Sequence, residues 1–273
     1  MDEQTRKKMI TSSFNAASKG YDKPALRFFK VSAKLHSQQM ALQGDENVLD
    51  IATGTGALAL EITQQLPNGR VTGVDLSDGM LEQAQKKAIE MGLGNTTFSK
   101  MDMTALDFPD ENFDAISCSF GIFFVEDMVG LLKHFSNKVK IGGGITISSF
   151  GTNLFHPMAD LFYQRIETYG VEIPPKSWKR VDDEEKLAAL FAAAGLKEFR
   201  VKRHNIGYPL DDIEMWWDIV WFAGFRGLLN QLDDISLQQF RKEHLDEVSA
   251  LEDRDGLIHL PIETLYASGV KLQ

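Results

Sequence analysis

The 273-residue chain has a single cysteine, Cys118, so an internal disulfide is excluded and no thiolate cluster is available for zinc. That cysteine falls in an apolar run expected to be a buried strand, where a thiol is an inert core group. No stretch reaches the ~20 apolar residues of a membrane span. The first ten residues, MDEQTRKKMI, carry charge without the apolar stretch of a signal peptide, so a cytoplasmic protein is expected. Positive charge is also scarce: 29 Lys and Arg stand against 39 Asp and Glu, a net charge of -10. Nucleic acid rewards basic surfaces, and this balance argues against it as a partner. The basic groups Lys138/Lys140 and Arg200/Lys202/Arg203 read as solvated faces. There is no internal repeat and no low-complexity linker. At 43% hydrophobic and 25% charged, the composition is that of a soluble globular protein with enough length for a full core.

What the chain does have is the run Val48-Leu49-Asp50-Ile51-Ala52-Thr53-Gly54-Thr55-Gly56-Ala57-Leu58 and, after it, Val71-Thr72-Gly73-Val74-Asp75-Leu76-Ser77. An apolar run ends in a glycine turn and passes into a helical pattern, and a second apolar run ends in a carboxylate. This is the arrangement that holds a nucleoside at the carboxyl edge of a parallel sheet. Gly54 and Gly56 allow a sharp turn and a close approach of backbone to ligand. Asp75 is placed to accept hydrogen bonds from both hydroxyls of a ribose. Asp50 sets the type of ligand: a carboxylate beside the glycine turn repels a pyrophosphate and tolerates an ammonium or sulfonium group.

Strands and helices alternate along most of the chain. Helices are expected over 3–18 and 22–43, with Pro24 in a first turn. Strands are expected at 47–53, 70–76, 96–101, 113–120 and 145–150, and helices at 57–66, 78–91 and 127–139. This alternation implies an α/β protein with a mostly parallel sheet covered by helices on both faces. Further on, a helix at 184–194 precedes a strand at 198–208, then a helical block at 211–250 and a last strand at 259–271. With no helix beyond it, the last strand is expected to pair antiparallel with 198–208. A single domain over 1–273 follows: a helical cap at 1–45, a cofactor-binding core at 46–151, and helical lid insertions at 152–181 and 209–256 over the ligand edge.

Three further segments carry this reading to a family. Phe14-Asn15-Ala16-Ala17-Ser18-Lys19-Gly20-Tyr21-Asp22 resembles an F-x-x-x-A-x-x-Y-D segment, Phe113-Asp114-Ala115-Ile116 with Ser119-Phe120-Gly121 resembles a fourth strand and its exit, and Gly142-Gly143-Gly144 resembles the turn before a fifth. With the 48–56 motif, these make the chain similar to the S-adenosylmethionine-dependent methyltransferases of the seven-stranded Rossmann-like fold. The resemblance covers about residues 10–151, and within the fold it is greatest to the ubiquinone/menaquinone-biosynthesis C-methyltransferases and their small-molecule relatives. It implies S-adenosylmethionine as cofactor. Backbone from Ala52 through Thr53 and Gly54 to Gly56 would lie along the methionine part, with Asp50 near the ammonium. Asp75 would take the ribose, and Leu76 or Met80 would pack on adenine. Asp102 would accept from the adenine amino group beside a backbone N–H of Met103. Ser119 and Phe120 would border the methyl end, and Tyr21 would close over the carboxylate. Where quinone-pathway members carry an Arg-Asn pair, this chain reads Ile122-Phe123-Phe124-Val125.

The acceptor is expected to be a small, apolar or aromatic molecule. Phe123 and Phe124 offer apolar walls, and the tryptophan-rich segment 215–225 places Trp217 and Trp221 on one helix face. That face either lines the acceptor pocket, packs into the core, or meets another copy or a membrane surface. His156, just after the fifth strand, is the best-placed histidine for a base and for contact with the acceptor. Asp127 reads equally as a helix cap or a substrate contact. No metal site is expected, and the chain is expected to act as a monomer or homodimer. Two other classes share these motifs. Gly54-Thr55-Gly56-Ala57-Leu58-Ala59 also fits the G-x-G-x-x-A of an NAD-dependent oxidoreductase, and a non-catalytic cofactor-binding protein can use the same fold.

Overall fold

In the computed structural model, which describes residues 2–273, every expected strand is present and the sheet grows outward from the 48–56 motif. In chain order the core elements are β1 (Asn47–Ile51), α3 (Ala57–Thr63), β2 (Arg70–Asp75), α4 (Asp78–Glu90), β3 (Thr96–Lys100), β4 (Phe113–Ser119), α5 (Met128–Lys138) and β5 (Val139–Phe150). Before them come α1 (Glu3–Ala17) and α2 (Phe28–Gln39). After them come α6 (Met158–Thr168), α7 (Glu184–Ala193), β6 (Lys197–Asn205), β7 (Tyr208–Leu210), α8 (Ile213–Phe222), α9 (Arg226–Leu229), α10 (Asp234–Ser249), β8 (Ile258–Leu260) and β9 (Glu263–Val270). The main sheet has seven strands in the order β3-β2-β1-β4-β5-β9-β6, and β9 runs antiparallel to both of its neighbours.

The strand order reverses between β1 and β4, so the helices that follow these two strands leave on opposite sides and open a crevice at their carboxyl ends. Successive strand residues face opposite sides of the sheet. Val48 and Ala115 accordingly pack with Ala33 and Leu58 in one apolar cluster, while Leu49, Ile51, Ile116 and Cys118 pack in a larger one. Cys118 is buried and unpaired, and burial with the nearby Asp50 pushes its thiol pKa up, which leaves it an inert core group as expected.

Several boundaries differ from the sequence reading for identifiable reasons. The expected helix at 22–43 starts only at Phe28, because Pro24–Leu26 forms a 3-10 turn closed by Arg27 N–H to the Pro24 carbonyl at 3.2 Å. The triple glycine is not a turn before the fifth strand but a bulge inside it: Phe113 pairs with Val139 and Ala115 with Gly144. Gly142 sits there at φ +84°, a backbone conformation other residues resist. The strand at 198–208 ends at Asn205, and β7 pairs instead with β8 in a separate two-stranded ribbon. Pro261, which has no N–H for a ladder, separates β8 from β9. The helical block 211–250 is three helices, the last of them capped by Asp233.

Two fully buried histidines are locked in their neutral forms. His36, on α2, donates from Nε2 to the Thr146 carbonyl at 3.2 Å, and burial pushes its pKa down to about 4. His244, on α10, accepts at Nε2 from the Trp216 indole at 2.8 Å, and burial lowers it likewise to about 4. Below the usual pKa of ~6.5 the unfolded chain binds protons at these positions that the folded chain refuses. Their contribution to stability is therefore complete above pH 6.5 and lost as pH falls toward 4. Denaturant unfolding of His36→Gln should show a pH dependence between 6.5 and 4 shallower than wild type by about 1 kcal/mol per pH unit. Identical slopes would contradict a neutral His36.

Candidate functional site

The parallel strands end together at one edge, and a cleft with about 1000 Å³ of free space, its open mouth included, lies over them. Its floor comes from the β1–α3 loop (Asp50, Ala52, Thr53, Gly54), the end of β2 (Asp75, Leu76) and the end of β4 (Ser119, Phe120). Met80 and Met103 close the side beyond β2. The roof comes from the N-terminal cap: Ile10, Thr11 and Phe14 of α1, then Tyr21, then Phe29 of α2.

Asp75 is the pivot of the floor. Its Oδ2 accepts from the Gly54 N–H and its Oδ1 from the Ser77 N–H, both at 2.9 Å. The carboxylate thus ties the glycine loop to the end of β2 and still borders the cleft. Burial raises its pKa, and the backbone donors oppose that rise. Asp50 is 1% exposed and has both oxygens engaged, Oδ1 by the Ser117 hydroxyl at 2.7 Å and Oδ2 by the Thr53 hydroxyl at 2.6 Å. Burial pushes its pKa up to about 6 against the pull of those two donors. Among the described residues that line the cleft, these two aspartates are the only acids, and Lys, Arg and His are absent. Such a wall favours a cationic guest and offers nothing to a pyrophosphate.

Ala52 and Phe120, at the ends of β1 and β4, both hold positive φ, +55° and +51°. Non-glycine residues sit there at a cost of roughly 1–3 kcal/mol each, and such strain gathers at functional sites. Phe120 is fixed by its N–H to the Ser148 hydroxyl at 3.2 Å, and that hydroxyl also bonds Ser119 Oγ at 3.0 Å. The rings above form a connected wall: Tyr21 stacks on Phe29 at 4.8 Å, Phe29 meets Phe120 edge-on at 5.8 Å, and Phe14 meets Phe124 edge-on at 5.6 Å. Burial, then Asp75 and Asp22, push the Tyr21 phenol pKa up, so it stays protonated.

Most of the residues expected to hold a cofactor are brought together here, namely Tyr21, Asp50, Ala52, Thr53, Gly54, Asp75, Leu76, Met80, Met103, Ser119 and Phe120. Two are not. Gly56 caps α3 at φ +80°, where a Cβ would lie 3.0 Å from the Ala84 Cβ, so it serves the packing of the loop on α4. Asp102 lies outside the lining: its Oδ2 takes the Lys7 ammonium at 2.9 Å and its Oδ1 the Thr104 N–H at 2.8 Å. Burial works to raise its pKa, but Thr104 and Lys7 outweigh that and hold it below the usual carboxylate range.

The expected acceptor residues divide as well. Phe124 lines the cleft, whereas Phe123 is buried behind it. Trp217 and Trp221 stack on each other at 6.2 Å under Arg241 and Arg226, away from the cleft, because α8 packs against the cap: Lys23 pairs with Asp218 at 2.5 Å and Arg226 donates to the Ala16 carbonyl at 2.9 Å. His156 is exposed, bonds Asp160 at 2.6 Å, and borders a different depression. Asp127 is a helix cap, accepting from the Gly130 N–H.

Sequence reasoning missed Phe14 and Phe29 as roof residues, although Phe14 opens the F-x-x-x-A-x-x-Y-D segment. It also missed Arg180, whose guanidinium bonds the carbonyls of Phe123, Val125 and Glu126 at 2.7 to 2.9 Å and so fixes the turn that carries Phe124. No local pattern flags that arginine.

A mostly parallel sheet with its crevice at the strand-order reversal, floored by a carboxylate at the end of β2, is the nucleoside-binding arrangement of the Rossmann-like class. Residues 48–143 match the family model of a methyltransferase domain. The chain is 31% identical over 183 residues to aklanonic acid methyltransferase DauC of Streptomyces sp. strain C5, covering 66% of this chain and 83% of that protein. It is 43% identical over 118 residues to the ubiquinone/menaquinone biosynthesis C-methyltransferase UbiE of Bdellovibrio bacteriovorus, covering 43% of this chain and 49% of that one. Its fold is similar to that of the YcgJ protein from Bacillus subtilis, with a TM-score of 0.60 at 22% identity over 89% of this chain and 99% of that one. The chain belongs to the S-adenosylmethionine-dependent methyltransferases, and its cofactor is S-adenosylmethionine.

Asp75→Ala should weaken S-adenosylhomocysteine binding by more than about tenfold, since two charge-assisted hydrogen bonds are worth ~1.5–3 kcal/mol each. Calorimetry checks this, and an unchanged dissociation constant in a folded variant would show that the carboxylate does not meet the ribose.

Proposed function

We propose that this methyltransferase acts on a small, largely apolar or aromatic acceptor held under the N-terminal cap. The observation that carries this reading is the ring wall of Phe14, Tyr21, Phe29, Phe120 and Phe124 in a cleft with no cationic side chain among its described lining residues. Burial against such walls contributes ~25 cal/mol per Å² of apolar surface, enough to hold a modest ring with few polar contacts. The names of the relatives, an aklanonic acid methyltransferase and a ubiquinone/menaquinone C-methyltransferase, support a quinone-type acceptor as the first class to test. Phe124, in a turn that is apolar where quinone-pathway enzymes carry Arg-Asn, would then contact the body of the acceptor rather than a polar head.

The donor set of the cleft fits the cofactor: a carboxylate at the end of β2 for the ribose, and two acids with no opposing cation for a positively charged group. When bound, S-adenosylmethionine supplies a methyl group on a cationic sulfur, and the C–S electron pair stays with the sulfur as the acceptor bonds the methyl carbon. Asp75 and the Gly54 loop would orient the nucleoside, and the backbone at Ala52 and Phe120 would border the reacting end. The aromatic roof would exclude water and hold the acceptor atom ~3–3.5 Å from the methyl carbon, in line with the breaking bond. The ionisable side chains that border the described cleft are Asp50 and Asp75, both engaged, and Tyr21, which stays protonated. Position and water exclusion are thus what the chain contributes, and the acceptor brings its own nucleophilic atom.

Phe124→Ala should raise the acceptor's KM by about tenfold, the worth of part of a buried phenyl ring, with S-adenosylhomocysteine affinity within about twofold of wild type. Trp221→Ala should change neither. Steady-state kinetics with a quinol acceptor, paired with calorimetry, read both. A KM that responds to Trp221 and not to Phe124 would move the acceptor to the α8 face.

A further inference from the structure

A second depression, with about 580 Å³ of free space including its mouth, lies beside the loop that follows β5. It shares no lining residue with the cofactor cleft. Between them stands Phe28, fully buried, with its ring 4.2 Å from Phe29 on the cleft side and 5.8 Å from Phe155 on the other. The buried Phe28 ring thus stands between residues of the two linings.

The chemistry of this depression is opposite to that of the cleft. Lys176 and Lys179 both border it, in a protein of net charge -10. Neither ammonium has a carboxylate within ion-pair distance among the described residues. Lys176 Nζ lies over the Tyr163 ring at 3.6 Å, and Lys179 Nζ faces the Trp178 ring at 5.9 Å. Burial, then repulsion from Lys179, lowers the Lys176 pKa, and the carboxylate of Asp160 opposes that fall. Asp160 is the one acid that borders the space, and it is bonded to His156 Nδ1 at 2.6 Å. Two ammonium groups without an ion-pair partner, beside the Trp178 indole, form a receptor for a flat anion, because the lysines supply the charge and the ring an apolar face.

We propose that this depression is a second ligand site, separate from the cofactor cleft, which binds a small aromatic carboxylate or phosphate. The anionic group lies between Lys176 and Lys179, and the ring lies against Trp178.

The test is calorimetric titration of the full chain, saturated with S-adenosylhomocysteine, with benzoate and with phenyl phosphate. Saturable one-to-one binding of either probe is expected, weakening as salt is added. In the Lys176→Gln/Lys179→Gln double variant that affinity should fall by about tenfold or more, with S-adenosylhomocysteine affinity unchanged. Both lysines are solvent-accessible, so the variant keeps its fold. Failure of both probes to bind saturably would overturn the proposal. So would equal affinity in the double variant.

Discussion

The carboxylate of Asp75 has both oxygens held by backbone N–H groups, one from Gly54 and one from Ser77. Those two residues belong to loops that leave neighbouring parallel strands, so one side chain sets the separation of the strand ends and the path of the glycine turn. The rest of the site is placed relative to that junction. Thr53 is drawn down by Val74 through a backbone bond at 3.0 Å, and its hydroxyl then reaches Asp50. Asp50 in turn holds Ser117 of β4, which brings the third strand end into the same frame. A chain of charge-assisted bonds therefore runs across β2, β1 and β4 beneath the cleft.

This arrangement also fixes the sign of the cleft. Burying two carboxylates costs free energy, and hydroxyl and backbone donors offset part of it without introducing a positive charge. The field left over is one in which a sulfonium is at ease and a phosphate is not. Ala52 and Phe120 hold strained backbone at two strand ends that border the cleft. That strain is tolerated because both strands are bonded on each side, by β2, β4 and β5.

Much of this was legible in the sequence, for a physical reason. Strand periodicity, the glycine turn and the terminal aspartate are local features, and local features determine both β1–α3–β2 and the floor of the cleft. The roof was not legible in the same way. Phe14 comes from α1 and Phe29 from the start of α2, just past the Pro24–Leu26 turn, and their meeting over the cleft depends on how these separate elements pack on the sheet, which no residue-by-residue pattern shows. The family resemblance assigns Asp102 to the adenine amino group, and no sequence pattern shows that Lys7, far away in the chain, bonds its carboxylate. The shared helix face of Trp217 and Trp221 left a pocket wall, core packing and an outer contact all open. Contacts between α8 and the cap, such as Lys23 with Asp218, turn that face elsewhere. The triple glycine read as a turn because three glycines in a row carry no side-chain pattern to distinguish a bulge from a loop.

The central claim is that a cation-free cleft floored by Asp50 and Asp75 selects a sulfonium nucleoside over a dinucleotide phosphate. Its most direct test is calorimetric titration of the chain with S-adenosylmethionine and, in the same buffer, with NAD. Saturable one-to-one binding of S-adenosylmethionine with no binding of NAD is the predicted result. Binding of NAD with no response to S-adenosylmethionine would contradict the account.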